Sequence, residues 1–216
     1  MSLTKISINN FRCFKNVDLQ LSPGINFFFG KNGSGKTSIL ESVFIFSSGK
    51  SFKSSNLASL VNYENDKFTL KAYDNLKGYI VEIEKNKNKP ISVLLNNKKI
   101  TTSKLIKEFP CTPIHNNTFS FADASPDFRR KLLDRSIFIS EKSFSECWFS
   151  YYRSLKQRNS ILKNNRISDI YIWNTKLSDE GIKLNNMRKN FFMKTKNEFY
   201  YLIDLIQPSS VFDFFN

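Results

Sequence analysis

Residues 30–37, Gly30-Lys31-Asn32-Gly33-Ser34-Gly35-Lys36-Thr37, satisfy Gly-x-x-x-x-Gly-Lys-[Ser/Thr] in full. Each residue type has a physical reason to be there. The glycines let the backbone wrap round a phosphate with its N–H groups turned inward. A helix starting at this point adds the partial positive charge of its N-terminus. Lys36 is placed to bridge the β- and γ-phosphates of a nucleoside triphosphate, and the Thr37 hydroxyl to ligate Mg²⁺. The pattern fixes only a few positions, and a Gly-rich turn at a helix cap also matches it. The flanking elements therefore decide.

Those elements fit. Residues 25–29, INFFF, form a continuous apolar run of strand length, which predicts a strand buried on both faces. After the glycines, TSILESVFIFSS predicts a helix with Ile39, Leu40, Val43, Phe44 and Phe46 toward one side. Upstream, residues 3–8 and 17–21 alternate like short strands, and Ser22-Pro23-Gly24 is a turn. FTLKAYD, GYIVEIE and ISVLLN, within residues 66–96, predict an antiparallel meander. From Ser125-Pro126-Asp127 onward the pattern turns helical, with Pro at a first-turn position. The expected fold class is mixed α/β: residues 1–124 a P-loop nucleotide-binding lobe with a β-meander, 125–206 a helical lobe, and 207–216 the start of a return to the first lobe.

The chain has 216 residues with 33 Lys+Arg against 19 Asp+Glu, a net charge of +14. Its 22 Phe and 40% hydrophobic content can build a core, which excludes wholesale disorder. No stretch reaches the roughly 20 apolar residues that span a bilayer, and the N-terminus lacks an apolar signal region, so a cytoplasmic location with no membrane partner is expected. Cys13, Cys111 and Cys147 show no Cys-x-x-Cys spacing and read as reduced thiols. One histidine, His115, cannot build a multi-His zinc site and reads as a loop residue. The positive charge calls for a polyanionic partner, although an abundance of Lys and Asn also points to compositional drift. Residues 151–200 hold 11 Lys+Arg against 4 Asp+Glu, half of the net charge.

Several separated motifs give a sharper reading. Asn10-Phe-Arg-Cys-Phe14, Ser22-Pro-Gly-Ile-Asn26, Ser47–Lys53, Ser125-Pro-Asp-Phe-Arg-Arg-Lys-Leu-Leu-Asp134 and Tyr152…Leu155-Lys-Gln-Arg-Asn159 stand in one order along the chain, with Trp173 and Gly181 following. This order resembles the RecF family of bacterial DNA-repair ATPases, related to SMC-type heads, from residue 1 to about residue 190. The resemblance implies an ABC-type P-loop ATPase head that binds ATP and Mg²⁺ and dimerises on ATP. It implies binding of double-stranded DNA at gap junctions and stalled forks, with RecR and RecO as partners. Carried over residue by residue, Gly30, Lys31, Asn32, Gly33, Ser34, Gly35, Lys36 and Thr37 form the phosphate cradle. Arg12 falls where the superfamily places a basic residue near the phosphates, or else forms a surface salt bridge. Arg129, Arg130, Arg153, Lys156 and Arg158 are candidate DNA contacts, or else a solvated helix face. The aromatic residues among them read mainly as core.

The sequence also departs from the family. A signature of Ser-x-Gly-Gln type and a Walker B strand are expected in a C-terminal half of the ATPase, and neither is found up to Asn216. Ser47-Ser48-Gly49-Lys50 only imitates a signature, and Tyr200–Asp204 imitates a Walker B strand within a helical pattern. Asn116 and Asn117 stand where the family usually carries Pro-Glu. Weak stability and near-background hydrolysis are expected of the isolated chain. The alternative is a truncated, non-hydrolysing nucleotide- or DNA-binding remnant. A small-molecule kinase is a third possibility, disfavoured by the meander and the basic helical part.

Overall fold

The structure is a computed structural model and describes residues 3–114, 125–164 and 170–206. Residues 1–119 and 120–216 form two compact units. The readings made for His115, Asn116, Asn117 and the tail 207–216 fall outside the described residues.

The first unit is built on a six-stranded antiparallel sheet of order β2-β1-β3-β4-β5-β6. Strand β1 is Leu3–Phe11, β2 Phe14–Gln20, β3 Lys67–Asp74, β4 Tyr79–Asn86, β5 Ser92–Leu95 and β6 Lys98–Lys99. The period of two fixes its register. Phe68, Leu70 and Ala72 of β3, Val81 and Ile83 of β4, and Val93 and Leu95 of β5 all point into one core. Two-residue turns close two of the hairpins. Arg12-Cys13 joins β1 to β2, and Asn96-Asn97 joins β5 to β6. Asn96 and Asn97 take positive φ, as such turns require.

Helix α1 (Lys36–Ser48) shares that core. The sequence predicts one apolar side; instead Glu41, Ser42 and every residue from Phe44 to Ser48 are buried, while Leu40 is half exposed. The second half of the helix is covered on all sides, in part by α2 (Thr102–Glu108), whose Leu105 joins the core together with Phe109 at its end. Gly49 ends α1 in the left-handed conformation, its N–H donating to Ile45 O at 2.8 Å. The Ser47–Lys50 stretch is therefore a helix C-terminus. A short 3₁₀ turn at Leu57–Leu60 and helix α2 have no counterpart in the sequence reading.

The apolar run 25–29 departs from its prediction. It is not a strand, and Ile25, Phe27 and Phe29 are 77%, 82% and 92% exposed. A strand exists only with a neighbour to share its hydrogen bonds, and no described strand pairs with this segment.

The second unit is helical: α3 (Pro126–Ser140), α4 (Phe144–Lys163) and α5 (Ile170–Ile206). Ser125 caps α3, its hydroxyl accepting from Phe128 N at 3.4 Å. Helices α4 and α5 run antiparallel; Gly181 of α5 admits the Tyr151 ring of α4, and a Cβ there would lie 3.4 Å from it. Ile137, Phe144 and Leu184 form the centre, ringed by Leu133, Trp148, Tyr151, Met187 and Phe191. Asp134, nearly buried, accepts from Arg188 Nε and Nη2, each at 2.7 Å, and from Trp148 Nε1 at 3.1 Å. The carboxylate pushes the Arg188 guanidinium still higher than its ordinary range, mainly through these hydrogen bonds. Asp204 lies exposed on α5, not at the end of a buried strand, so Tyr200–Asp204 is helix.

Candidate nucleotide-binding site

The loop before α1 has the backbone that its glycines permit. Gly30, Gly33 and Gly35 take φ of 148°, 83° and 93°. Gly35 is the N-cap of α1, so the free N–H groups of the first helical turn open onto the loop. A Cβ on Gly35 would stand 2.3 Å from the Phe14 ring and 3.1 Å from Cys13 Sγ. The β1–β2 hairpin thus packs directly on the phosphate loop, and only glycine fits between them.

One open cleft of about 420 Å³ gathers the site. Asn32, Gly33, Ser34, Gly35, Lys36 and Thr37 line it from the loop, and Arg12 joins them from the β1–β2 turn. The sequence reading missed a further cation: Lys53 lines the same cleft. Its signal was the Ser47–Lys53 motif, matched as a pattern without a role. Gly30 and Lys31 take part through their carbonyls, which accept from Lys36 Nζ at 2.7 and 2.8 Å. Lys36 thus keeps the loop curled on itself, and a phosphate would compete for the same three ammonium protons.

Arg12 is held from several sides. Its φ is +55°, its N–H donates to Leu60 O at 2.7 Å, and its carbonyl accepts from Asn62 Nδ2 at 3.0 Å. Its guanidinium donates twice to Glu41 of α1, through Nε and Nη2, both at 2.9 Å. The Ser51 hydroxyl donates to the same carboxylate. Glu41 is 1% exposed, so the pair is no surface salt bridge. It neutralises one arginine charge at the cleft, which Lys36 and Lys53 also line.

The donor set suits a triphosphate with Mg²⁺: a cationic lysine, inward amides at a helix start, and a threonine hydroxyl on the cleft wall. When bound, the metal ion would supply charge neutralisation of the phosphate oxygens at Thr37.

The second unit carries the other candidates. Arg129 and Arg130 are exposed on α3, with Arg130 Nη2 3.9 Å from Asp127. Lys131 lies 2.5 Å from the same aspartate, and this hydrogen-bonded cation holds its carboxyl below the usual carboxylate range. Arg153 and Lys156 are exposed on neighbouring turns of one α4 face. Arg158 does not join them. It lies about 140° round the helix from Arg153, half-buried, and its Nε donates to Asn174 Oδ1 of α5 at 2.7 Å. Among the aromatics, Phe144 is buried, and Trp148 and Tyr151 pack on the helical core.

The sequence matches the AAA ATPase domain family over residues 1–208. It is 34% identical to the DNA replication and repair protein RecF of Actinobacillus pleuropneumoniae over 197 residues, covering 88% of this chain and 54% of that one. It is 38% identical to the RecF of Glaesserella parasuis over 184 residues, covering 82% and 50%. The structure superposes on the recombination mediator protein RecF-ATPrS of the RecFOR pathway with a TM-score of 0.83 and 25% identity, covering 95% of this chain and 58% of that one. An SMC ATPase structure, at 20% identity and a TM-score of 0.51 over 62% of this chain, shares the fold. The chain spans about half the length of the curated relatives it matches. It belongs to the AAA ATPase domain family and corresponds to the N-terminal portion of RecF.

Proposed function

We propose that this chain is the nucleotide-sensing portion of a RecF-type recombination mediator. It binds ATP with Mg²⁺ at Gly30–Thr37, with Arg12 and Lys53 beside the phosphates. ATP occupancy governs pairing with a second head and the grip of the helical unit on duplex DNA at gaps and stalled forks. Arg129, Arg130, Arg153 and Lys156 supply phosphate contacts, with Arg158 bracing α4 against α5. RecR and RecO are its partners, and it acts in the cytoplasm; among the described residues no helix is long and apolar enough to cross a membrane.

The observation that carries this reading is the cleft itself, in which the phosphate loop, Arg12, Lys36 and Lys53 meet on a family-typical fold. The roles follow from the chemistry. The amides and Lys36 hold the phosphates, Thr37 orients the metal ion, and the Phe14 contact transmits loop position to the β1–β2 hairpin. Duplex binding measured with and without ATP over a salt series tests the proposal. ATP should tighten it, and added salt should weaken it, because phosphate contacts release counterions. Lys36→Ala should remove the ATP effect and leave charge-driven binding. Equal ATP dependence in Lys36→Ala would end the nucleotide-gated reading.

A further inference from the structure

Lys53 reaches the nucleotide cleft from a stretch, 50–54, that is neither helix nor strand. A lysine has a long flexible stem, and holding its ammonium in one place costs entropy. That cost falls when the backbone beneath it is fixed first. Here Ser51 fixes it. The Ser51 hydroxyl accepts from the Lys53 and Ser54 amides, each at 2.9 Å. Between them in sequence, the Phe52 ring meets Phe44 of α1 edge-on, with centroids 5.7 Å apart. Lys53 itself stays exposed.

A serine that only closes a turn accepts from nearby amides, and its own proton has no set direction. The Ser51 proton has one: it is donated to the Glu41 carboxylate. The same carboxylate accepts twice from Arg12 and is almost wholly buried. One buried anion therefore sets two cations of the cleft, Arg12 by direct contact and Lys53 at one remove. Ser51 does not line the cleft, so its effect must pass through a neighbour.

We propose that Ser51 is a positioning residue for nucleotide binding: anchored on Glu41, it aims Lys53 at the phosphates. This rests on the reading of the cleft as an ATP site.

Ser51→Ala removes a hydroxyl and no charge, so a loss of affinity reports placement rather than a weaker field. The test is calorimetric titration of the full 216-residue chain with Mg-ATP, alongside Ser51→Ala, Lys53→Ala and the double variant. Each single change should weaken binding about tenfold, the loss of one charge-assisted contact. The double variant should bind no more weakly than Lys53→Ala alone. Lysine acetylation read by mass spectrometry adds a signal that a merely structural serine would not move. Mg-ATP should protect Lys36 and Lys53 in the unsubstituted chain, but only Lys36 in Ser51→Ala. Losses that multiply in the double variant, full protection of Lys53 in Ser51→Ala, or a lowered melting point with unchanged affinity would each overturn the proposal. So would an unprotected Lys53 in the unsubstituted chain with Mg-ATP bound, a result that stands even if Ser51→Ala fails to fold. Failure of the unsubstituted chain to bind Mg-ATP, or equal binding by Lys36→Ala, would overturn the ATP reading and this proposal with it.

Discussion

Arg12 and Glu41 are joined by two parallel hydrogen bonds of 2.9 Å, although one stands on a hairpin turn and the other on the helix after the phosphate loop. The carboxylate is almost wholly buried, so it cannot turn to water when its partner is lost. Arg12→Ala should therefore destabilise the chain by about 3 kcal/mol, the lower end for breaking a buried pair, with Ser51 left as a partial partner. Arg12→Ala/Glu41→Gln should recover part of that loss by removing the stranded charge. Thermal or urea unfolding of the single and double variants reads the coupling. If the double variant is as unstable as the sum of the single ones, the two residues do not act as a pair.

Two glycines of the phosphate loop separate conformational strain from steric fit. Gly33 and Gly35 take similar φ, but a Cβ on Gly33 meets nothing within 4 Å, whereas one on Gly35 collides with Phe14. Gly33→Ala should cost about 1 kcal/mol, the left-handed penalty alone. Gly35→Ala should cost more than about 2 kcal/mol, because the ring must also move. Phe14→Ala should relieve much of the second penalty and little of the first. Unfolding midpoints of the three single variants, and of Phe14→Ala combined with each glycine substitution, decide it.

What was legible in the sequence follows what is local. The phosphate loop, the meander of β3 to β5 and the three long helices are written in spacing and period, so they needed no tertiary information. Residues 25–29 were misread because an apolar run states a wish for neighbours and cannot supply them. Glu41 and Asp134 were missed for a related reason. A carboxylate inside TSILESVFIF is a signal that some cation must reach it, but only the fold brings Arg12 there across 29 positions. Lys53 likewise reaches the cleft through a loop that no periodicity describes.

Asp134 is the polar hub of the helical unit. Arg188 and Trp148 both donate to it, tying α3 to α5 and to α4. Asp134→Ala should cost about 3–5 kcal/mol, since Arg188 is then left half-buried without its partner. Asp134→Asn keeps an acceptor for the indole but loses the ion pair, and should fall between the two. Trp148 fluorescence should change in both variants before unfolding. An unchanged emission spectrum and melting point in Asp134→Ala would mean that the hub carries no stability.

The thiols give a pH-dependent readout of the site. Cys13 is exposed and lines the nucleotide cleft, whereas burial pushes the Cys147 thiol up from its ordinary range, with the Glu180 carboxylate adding to the rise. Only the thiolate is alkylated, so a raised pKa moves the onset of Cys147 labelling to higher pH. Iodoacetamide should label the exposed Cys13 before Cys147, which follows as the pH rises or as the helical core opens. Mg-ATP should slow labelling of Cys13 and leave Cys147 unchanged, because only Cys13 borders the phosphate loop. Mass spectrometry of the labelled peptides over a pH series measures both effects. Equal protection of the two thiols by Mg-ATP would point to global stabilisation, and no protection of Cys13 would remove the nucleotide from this cleft.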